Sequence, residues 1–266
     1  MCRVYGVTRA GYYAWCSRER SEREHQNACL ARRIREVHRA SRGTYGSPRV
    51  YQVLRQQDWR VGENRVARLM RAHAIKARVA TMRYTNRTLQ RFFASTRNEQ
   101  LDIALTGPDQ VWVGDITYLK VGAVYRYLAV VMDKYSRRIL GWAYGKRKDV
   151  ALTLKALNRA VHKRRPARGL IFHTDRGIEY AAGAFKERLA ELGIIASMNR
   201  PGKVTDNIYI ESFFHSMKTD IVHGLTFTGD RQIHQAVRSY IPFYNDTRLH
   251  SSLNYVPPAA YERQLA

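Results

Sequence analysis

Leu170-Ile171-Phe172-His173-Thr174-Asp175-Arg176-Gly177 and, further along, Asp206-Asn207-Ile208-Tyr209-Ile210-Glu211-Ser212-Phe213-Phe214 are the two stretches on which the reading of this chain turns. In the first, three large apolar residues run into His-Thr-Asp, which predicts a buried strand ending at Asp175. In the second, Asp206 is a good N-cap, and Ile210, Phe213, Phe214 and Met217 follow at helical spacing. One carboxylate therefore stands at a strand end and another, Glu211, on a helix. Two rigid elements can bring such groups to one point, and the pairing suits divalent cations and oxygen displacement at phosphorus. Taken singly, strand-end Asp and helical Glu are common solvated residues, so the rest of the chain must supply a reason for them to meet.

Upstream, Val111 to Leu119 alternates, with Asp115 near its middle. Gly122 marks a turn, and Tyr125 to Met132 is nearly continuous apolar sequence, as in a strand buried on both faces. Asp133 to Arg137 reads as a turn, with a structural role for Asp133, and Ile139 to Tyr144 as a third strand. Asp149 then caps a helix carrying Val150, Leu154, Leu157 and Val161 on one side, ended by Arg164-Arg165-Pro166. Gly169 to Thr174 is a fourth strand. Phe185, Leu189 and Leu192 mark a helix stopped by Gly193, and Ile194 and Ile195 open a fifth strand. Three strands, helix, strand, helix, strand, helix is the order of the ribonuclease H-like fold, an α/β architecture with a mixed five-stranded sheet and flanking helices. In it the middle of the first strand lies beside the end of the fourth, which gives Asp115 and Asp175 a reason to meet. Ile233, Ala236, Val237, Tyr240, Ile241 and Tyr244 mark a last helix, in which Pro242 predicts a kink or break.

The front of the chain differs in texture. Residues 1–100 carry 22 Lys and Arg against 7 Asp and Glu, out of a whole-chain charge of +24. A polyanionic partner, nucleic acid above all, is the natural reading; a solvated high-pI surface is the bland one. Residues 1–16 predict two short helices, the second capped by Thr8. Residues 17–40 predict a charged helix with Leu30, Ile34 and Val37 inward. Ser47 as N-cap and Pro48 as first residue open a helix with Val50, Val53 and Leu54 inward. After a break at Trp59–Gly62, Glu63 opens another, with Val66, Leu69 and Met70 inward and Arg65, Arg68 and Arg71 on the opposite side. Two short helices, a tight break and a basic face fit a helix-turn-helix or an ordinary helical hairpin equally well. The expected organisation is a helical DNA-binding region at 1–75, a basic linker at 76–109 holding Arg83, Arg87 and Arg91, a catalytic core at 110–225, and a helix and tail completing it at 226–266.

Gly114-Asp115-Ile116-Thr117-Tyr118-Leu119, Asp133-Lys134-Tyr135-Ser136-Arg137, His173-Thr174-Asp175-Arg176-Gly177, Asp206-Asn207 through Phe214, and Tyr244-Asn245 through Ser251 together resemble the second-frame product of insertion sequence 3 family transposases. Tyr12-Tyr13-Ala14-Trp15 and the 45–70 region resemble the same family's helix-turn-helix. The likeness covers almost the whole chain and implies an integrase-like DDE transposase. By it Asp115, Asp175 and Glu211 are the catalytic and metal-binding carboxylates, served by two Mg²⁺ ions, with Mn²⁺ able to substitute. The implied chemistry is strand cleavage by activated water and then attack of a freed 3′-OH on another phosphodiester. Lys218, seven residues after Glu211, shares its face and is expected on DNA, as are Arg65, Arg68, Arg71, Asn207 and Arg248. His173 flanks the site, with a direct role and a turn role equally open.

The partners implied are double-stranded DNA, at the element ends and at the target, a second copy of the chain on that DNA, and the first-frame product or a fusion with it. Ile208-Tyr209-Ile210 is bulkier than the small residues usual before the glutamate, which bears on how Glu211 is aimed. The competing readings are an inactive DNA-binding remnant or regulator and a ribonuclease H-type hydrolase; the second does not explain the basic front. With no run of eighteen apolar residues and no apolar leader, the expectation is a cytoplasmic, nucleoid-associated protein with no membrane span. Cys2, Cys16 and Cys29 fit neither a disulfide framework nor a zinc knuckle.

Overall fold

The computed structural model describes residues 2, 4, 6–17, 21–77, 98–100, 103–200, 207–222 and 225–264. The linker arginines 83, 87 and 91 and the Asp206 cap lie outside them. The chain forms two compact units, Met1–Ala77 and Arg78–Ala266.

The first unit is helical. After α1 (Arg9–Cys16), opened by Thr8 Oγ1 accepting from the Gly11 N–H at 3.1 Å, comes α2 (Glu22–Ala40). A capping box joins Ser21 and Glu24 at the start of α2, which satisfies two otherwise orphaned N–H groups. The helical pair is α3 (Ser47–Gln56) and α4 (Glu63–Ala72). Gly46, in extended backbone, takes the cap position of α3, so Ser47 is already helical and makes no cap bond. Leu30, Ala31, Ile34 and Val37 of α2 are buried, as are Val50 and Leu54 of α3 and Val66, Leu69 and Met70 of α4. One apolar stripe per helix thus builds a three-helix core and leaves the arginine-rich sides outward.

The second unit holds β1 (Val111–Val121), β2 (Val124–Asp133), β3 (Ile139–Gly145), β4 (Ile171–Thr174) and β5 (Ile195–Met198), in the sheet order β3-β2-β1-β4-β5. The first three strands form an antiparallel meander, and β4 and β5 join parallel to β1. Crossovers between parallel strands need helices: α5 (Val150–Arg164), then α6 (Ile178–Ala181) and α7 (Gly183–Glu191). Asp149 caps α5 through the Leu152 N–H, and Arg165 ends it in the left-handed conformation ahead of Pro166. The short α6 is not evident in the sequence pattern.

Each face of the sheet has its own core. On one, Trp112, Ala129, Val131 and Phe172 pack with α5 and α7 through Leu157, Phe185 and Leu189. On the other, Val113, Leu119, Leu128 and Val130 meet α8 (Ile208–Met217) and α9 (Asp230–Asp246) through Ile210, Phe213, Phe214, Val237 and Tyr240. The break expected at Pro242 does not occur: α9 runs through it. Pro242 is exposed, whereas Ile241, Phe243 and Tyr244 around it are buried, so packing holds the helix together where one N–H is missing. Asn245 returns to the sheet edge, accepting from the Ile139 N–H at 2.8 Å and donating to its carbonyl at 2.9 Å. The last helix, α10 (Pro258–Arg263), places Glu262 against Ser136, Arg138 and Arg164.

Candidate active site

β1 and β4 run parallel and pair from Val111 opposite Ile171 to Gly114 opposite Thr174. Asp115 and Asp175 are the next residue on each strand, so the pairing delivers them side by side where β4 ends. Gly114 permits this closeness: a Cβ there would stand 2.7 Å from the Phe172 ring. Asp115 Oδ1 accepts from the Ile116 N–H at 2.6 Å, and Asp175 Oδ1 from the Gly177 N–H at 3.0 Å. A side chain on Gly177 would place its Cβ 2.9 Å from that same Asp175 oxygen.

Glu211 enters from a helix, in the first turn of α8. Burial raises the Asp115 pKa well above the usual carboxylate range, and the neighbouring charges of Asp175 and then Glu211 push it further, against the Ile116 N–H and Lys148. The Asp175 pKa is raised too, chiefly by burial, with the Gly177 N–H and Lys148 opposing. Asp115 thus feels the charge of two further carboxylates that come from two other elements. Among the described residues no three His, Cys, Asp or Glu side chains draw together into a ready-made metal cage; the trio is open.

The helix that carries Glu211 is fixed at both ends. Tyr209 is covered by the Arg137 guanidinium, 3.5 Å from its ring centroid, with Lys134 Nζ at 5.5 Å on the same ring. Both cations come from the β2–β3 turn, and such stacking is favourable when desolvated. Ile210 is fully buried and Ile208 is 51% exposed. The bulky approach to Glu211 is therefore accommodated, one residue in the core, one under a cation and one in solvent. Beyond α8 the chain widens into a π-helical turn at Lys218–Val222, where Asp220 accepts from the Tyr240 hydroxyl at 2.8 Å and from Arg248 Nε at 2.9 Å. Turns of this kind are frequent at functional sites.

Several expected DNA contacts stand elsewhere. Arg248 is a correction: its side chain is 5% exposed and bonded to the equally buried Asp220, so its charge is taken up inside the fold. Asn207 is another. It is buried at the N-cap of α8 without a cap bond, and its Nδ2 reaches the Gly114 carbonyl at 3.5 Å. It ties the Glu211 helix to β1 beside Asp115. His173 is buried, held through Nδ1 to Ser197 Oγ at 2.8 Å and through Nε2 to Asn199 Oδ1 at 2.7 Å, which makes it a clamp between β4 and β5. Asp133 is structural, accepting from the N–H groups of Asp109 and Ser136. Arg65 is half-buried and donates to Asn27 Oδ1 at 3.0 Å, whereas Arg68 and Arg71 are exposed. Lys218 Nζ lies 4.4 Å from the Tyr118 ring centroid, and burial lowers its pKa against the attraction of Asp115.

Sequence reasoning missed Lys148 and Glu179. Lys148 Nζ lies 3.4 Å from Glu179 Oε2, and its charge bears on both Asp115 and Asp175. The only sequence signal was the basic run Lys146-Arg147-Lys148 ahead of the α5 cap, and an acid four residues after Asp175.

The integrase core domain family matches residues 106–204, a second integrase core domain family matches residues 192–258, and an HTH-like domain family matches residues 24–83. The uncharacterized 31 kDa protein of insertion element IS600 from Shigella sonnei is 34% identical over 266 residues, 99% of this chain and 98% of that protein. The transposase InsF of insertion sequence IS3A from Escherichia coli (strain K12) is 33% identical over 270 residues, 99% of this chain and 93% of that protein. The chain belongs to the insertion sequence 3 family of transposases. It is a DDE-type polynucleotidyl transferase with an integrase core and an HTH-like helical region. Among solved structures, the HTLV-2 integrase catalytic core domain in complex with magnesium is similar at a TM-score of 0.46 and 17% identity, over 59% of this chain and 98% of that one. Among the described residues of this transposase no helix is long and apolar enough to cross a membrane.

Proposed function

We propose that Asp115, Asp175 and Glu211 are the catalytic carboxylates of this transposase and hold two Mg²⁺ ions, with Mn²⁺ able to replace them. The observation that carries the reading is the juxtaposition of Asp115 and Asp175 one residue past the β1–β4 pairing, with the charge of Glu211 felt from α8. The donor set fits such ions: hard carboxylate oxygens, partly buried, their mutual repulsion awaiting positive charge. When bound, paired divalent ions activate the attacking oxygen and stabilise the leaving one.

The chain's own groups do the rest. Asp115 and Asp175 fix one side of the site from two paired strands, and Asn207 and the Tyr209–Arg137 stack aim Glu211 from the other. Lys218 holds a phosphate of the reacting strand beside Asp115. Arg68 and Arg71 of α4 lie on duplex DNA, where each forked guanidinium suits a phosphate. Water attacks phosphorus and the 3′ oxygen leaves as a 3′-OH, the phosphate staying on the neighbouring 5′ end. That 3′-OH then attacks a target phosphodiester and displaces the target strand's own 3′ oxygen, which leaves as a 3′-OH. Element ends and target are both double-stranded DNA, which places the protein at the nucleoid. A second copy of the chain and the first-frame product assemble on the same DNA.

The test incubates the protein with its element's end DNA and Mg²⁺ beside Asp175→Asn. Nicking and joining by the parent alone support the reading. Equal DNA binding with no product from either protein would sink it in favour of a binding remnant.

A further inference from the structure

Two tyrosines beside the site have no role in either core. Tyr118 of β1 is 61% exposed and Tyr125 of β2 is 52% exposed. Tyr118 lies opposite Tyr127 and Tyr125 opposite Lys120, so the two tyrosines are diagonal neighbours on one face of the hairpin. Their ring centroids are 5.5 Å apart, edge to face at 89°. This geometry supports the Tyr118 ring from one side.

Position gives the pair its meaning. β4 pairs with β1 only as far as Gly114, so among the described residues the edge of β1 from Asp115 onward has no strand neighbour. Tyr118 stands three residues beyond Asp115 along that edge, about 10 Å at strand rise. Lys218 Nζ lies 4.4 Å from the Tyr118 centroid, and the Asp115 carboxylate favours its charge. Even with Lys218 above it, the ring remains largely open. Asp115 and Tyr118 thus face opposite sides of a stretch of β1 that has no strand neighbour beyond β2 among the described residues, with the Lys218 ammonium against the open ring and Lys120 exposed on the ring's side. Aromatic rings interleaved with lysines suit single-stranded nucleic acid, whose bases stack on the rings while its phosphates meet the cations.

We propose that Tyr118, braced by Tyr125, is a stacking platform for an unpaired nucleobase of the reacting DNA strand, with Lys218 on the phosphate of the same stretch. The proposal rests on the catalytic reading given above. Chemistry at a strand end is easier when the neighbouring base leaves its stack, and a ring that receives the base offsets part of the unpairing cost. Tyr118 would then be a binding residue that holds the end open and so sets the position of the scissile bond.

The experiment uses the full chain, Mg²⁺ and end DNA carrying 5-iododeoxyuridine at successive positions near the scissile phosphate. Photo-crosslinks are mapped by mass spectrometry, and nicking is timed in parallel. The parent should crosslink at Tyr118. Tyr118→Phe should crosslink and nick like the parent, because the ring is what stacks. Tyr118→Ala should lose the crosslink and nick about tenfold more slowly or worse, with most of that loss recovered on ends whose terminal bases are already unpaired. Asp175→Asn should still crosslink while making no product. A parent that nicks without crosslinking at Tyr118, or a Tyr118→Ala protein that nicks paired ends at the parent rate, overturns the platform and leaves the catalytic reading intact. A parent that crosslinks at Tyr118 but never nicks overturns the catalytic reading instead. Both tyrosines are exposed, so the variants should keep the parent's melting temperature, and a fall in that temperature alongside the loss of nicking would make the role structural and overturn the platform.

Discussion

In the helical unit Arg68 and Arg71 project from α4 into solvent, whereas in the sheet unit Arg248 is buried on Asp220, and Arg138 and Arg164 close on Glu262. The same residue type is a reserve of free charge in one region and a structural member in the other. The net charge of +24 is therefore not a map of the DNA footprint. Several arginines of the sheet unit are answered by acids of the same unit, whereas at the candidate site the charges of Asp175 and Glu211 bear on Asp115 and raise its pKa.

The strongest way to break this contrast is Arg248→Ala. Removing one member of a buried pair leaves an uncompensated charge, which typically costs about 3–5 kcal/mol. Asp220 also holds the Tyr240 hydroxyl, so the loss should spread to α9 and to the π-helical turn after Glu211. Chemical denaturation should show a large drop in midpoint, with DNA affinity per folded molecule unchanged. A variant with the parent's midpoint and weakened DNA binding would return Arg248 to the DNA surface.

The next effect concerns the carboxylates of the candidate site. Asp115 and Asp175 have pKa values raised by burial, and Asp115 also by the neighbouring charges of Asp175 and Glu211. A raised folded-state carboxylate favours the fold below its unfolded value of about 3.9 and loses that contribution as pH rises through the folded pKa. At neutral pH the metal-free fold thus carries strain that Asp115→Asn relieves. The variant should melt higher than the parent without metal, by about 0.5–2 kcal/mol of stability, and be inactive. Adding Mg²⁺ should raise the parent's melting temperature, since a ligand of the native state stabilises it, and should raise the variant's much less. Glu262 has the opposite sign: burial pushes it up, but hydrogen bonds from Ser136 and Arg138 and the charge of Arg164 hold it below the usual range. Its contribution is present above about pH 4.3 and lost as pH falls through the folded value, so Glu262→Gln should flatten the acid limb of the stability profile.

These two kinds of carboxylate also mark what the sequence could reveal. Strand order followed from apolar runs and turn residues, and the parallel β1–β4 pairing then delivered Asp115 to Asp175. Periodicity says which face a residue occupies but not which partner lies across from it. Arg248 and Arg68 look alike in sequence, and only the packing of α9 on the π-helical turn separates them. Lys148 and Glu179 escaped notice because their ion pair joins a loop before α5 to the four-residue α6, elements too short for a periodic signal. Pro242 misled because local propensity was outweighed by the buried residues on either side.

A smaller effect tests an arginine that belongs to neither group. Arg137 covers the Tyr209 ring, and one of its terminal nitrogens is buried with no hydrogen-bond partner among the described residues. The ring face is thus its main compensation. Tyr209→Ala should cost about 1–2 kcal/mol of stability and lower the nicking rate through the aim of Glu211, while Tyr209→Phe keeps the ring and should restore both. Equal losses from the two substitutions would shift the role to the hydroxyl and remove the stack from the account.

The smallest change in stability should accompany a clear change in binding. Arg68→Ala and Arg71→Ala remove exposed side chains that form no ion pair among the described residues, so stability should stay within about 0.5 kcal/mol of the parent. If each guanidinium neutralises one phosphate, the slope of log affinity against log salt concentration should fall by about 0.9 for each substitution. The loss should be similar for any DNA sequence, because phosphate contacts carry no base information. Arg65→Ala should behave differently: its guanidinium is held by Asn27 across to α2, so part of its loss should appear as stability. If all three variants changed the salt slope alike without touching stability, the Arg65–Asn27 bond would not hold in solution. If none changed it, DNA would engage another side of the helical unit, and α4 would be only the inner wall of a helical hairpin.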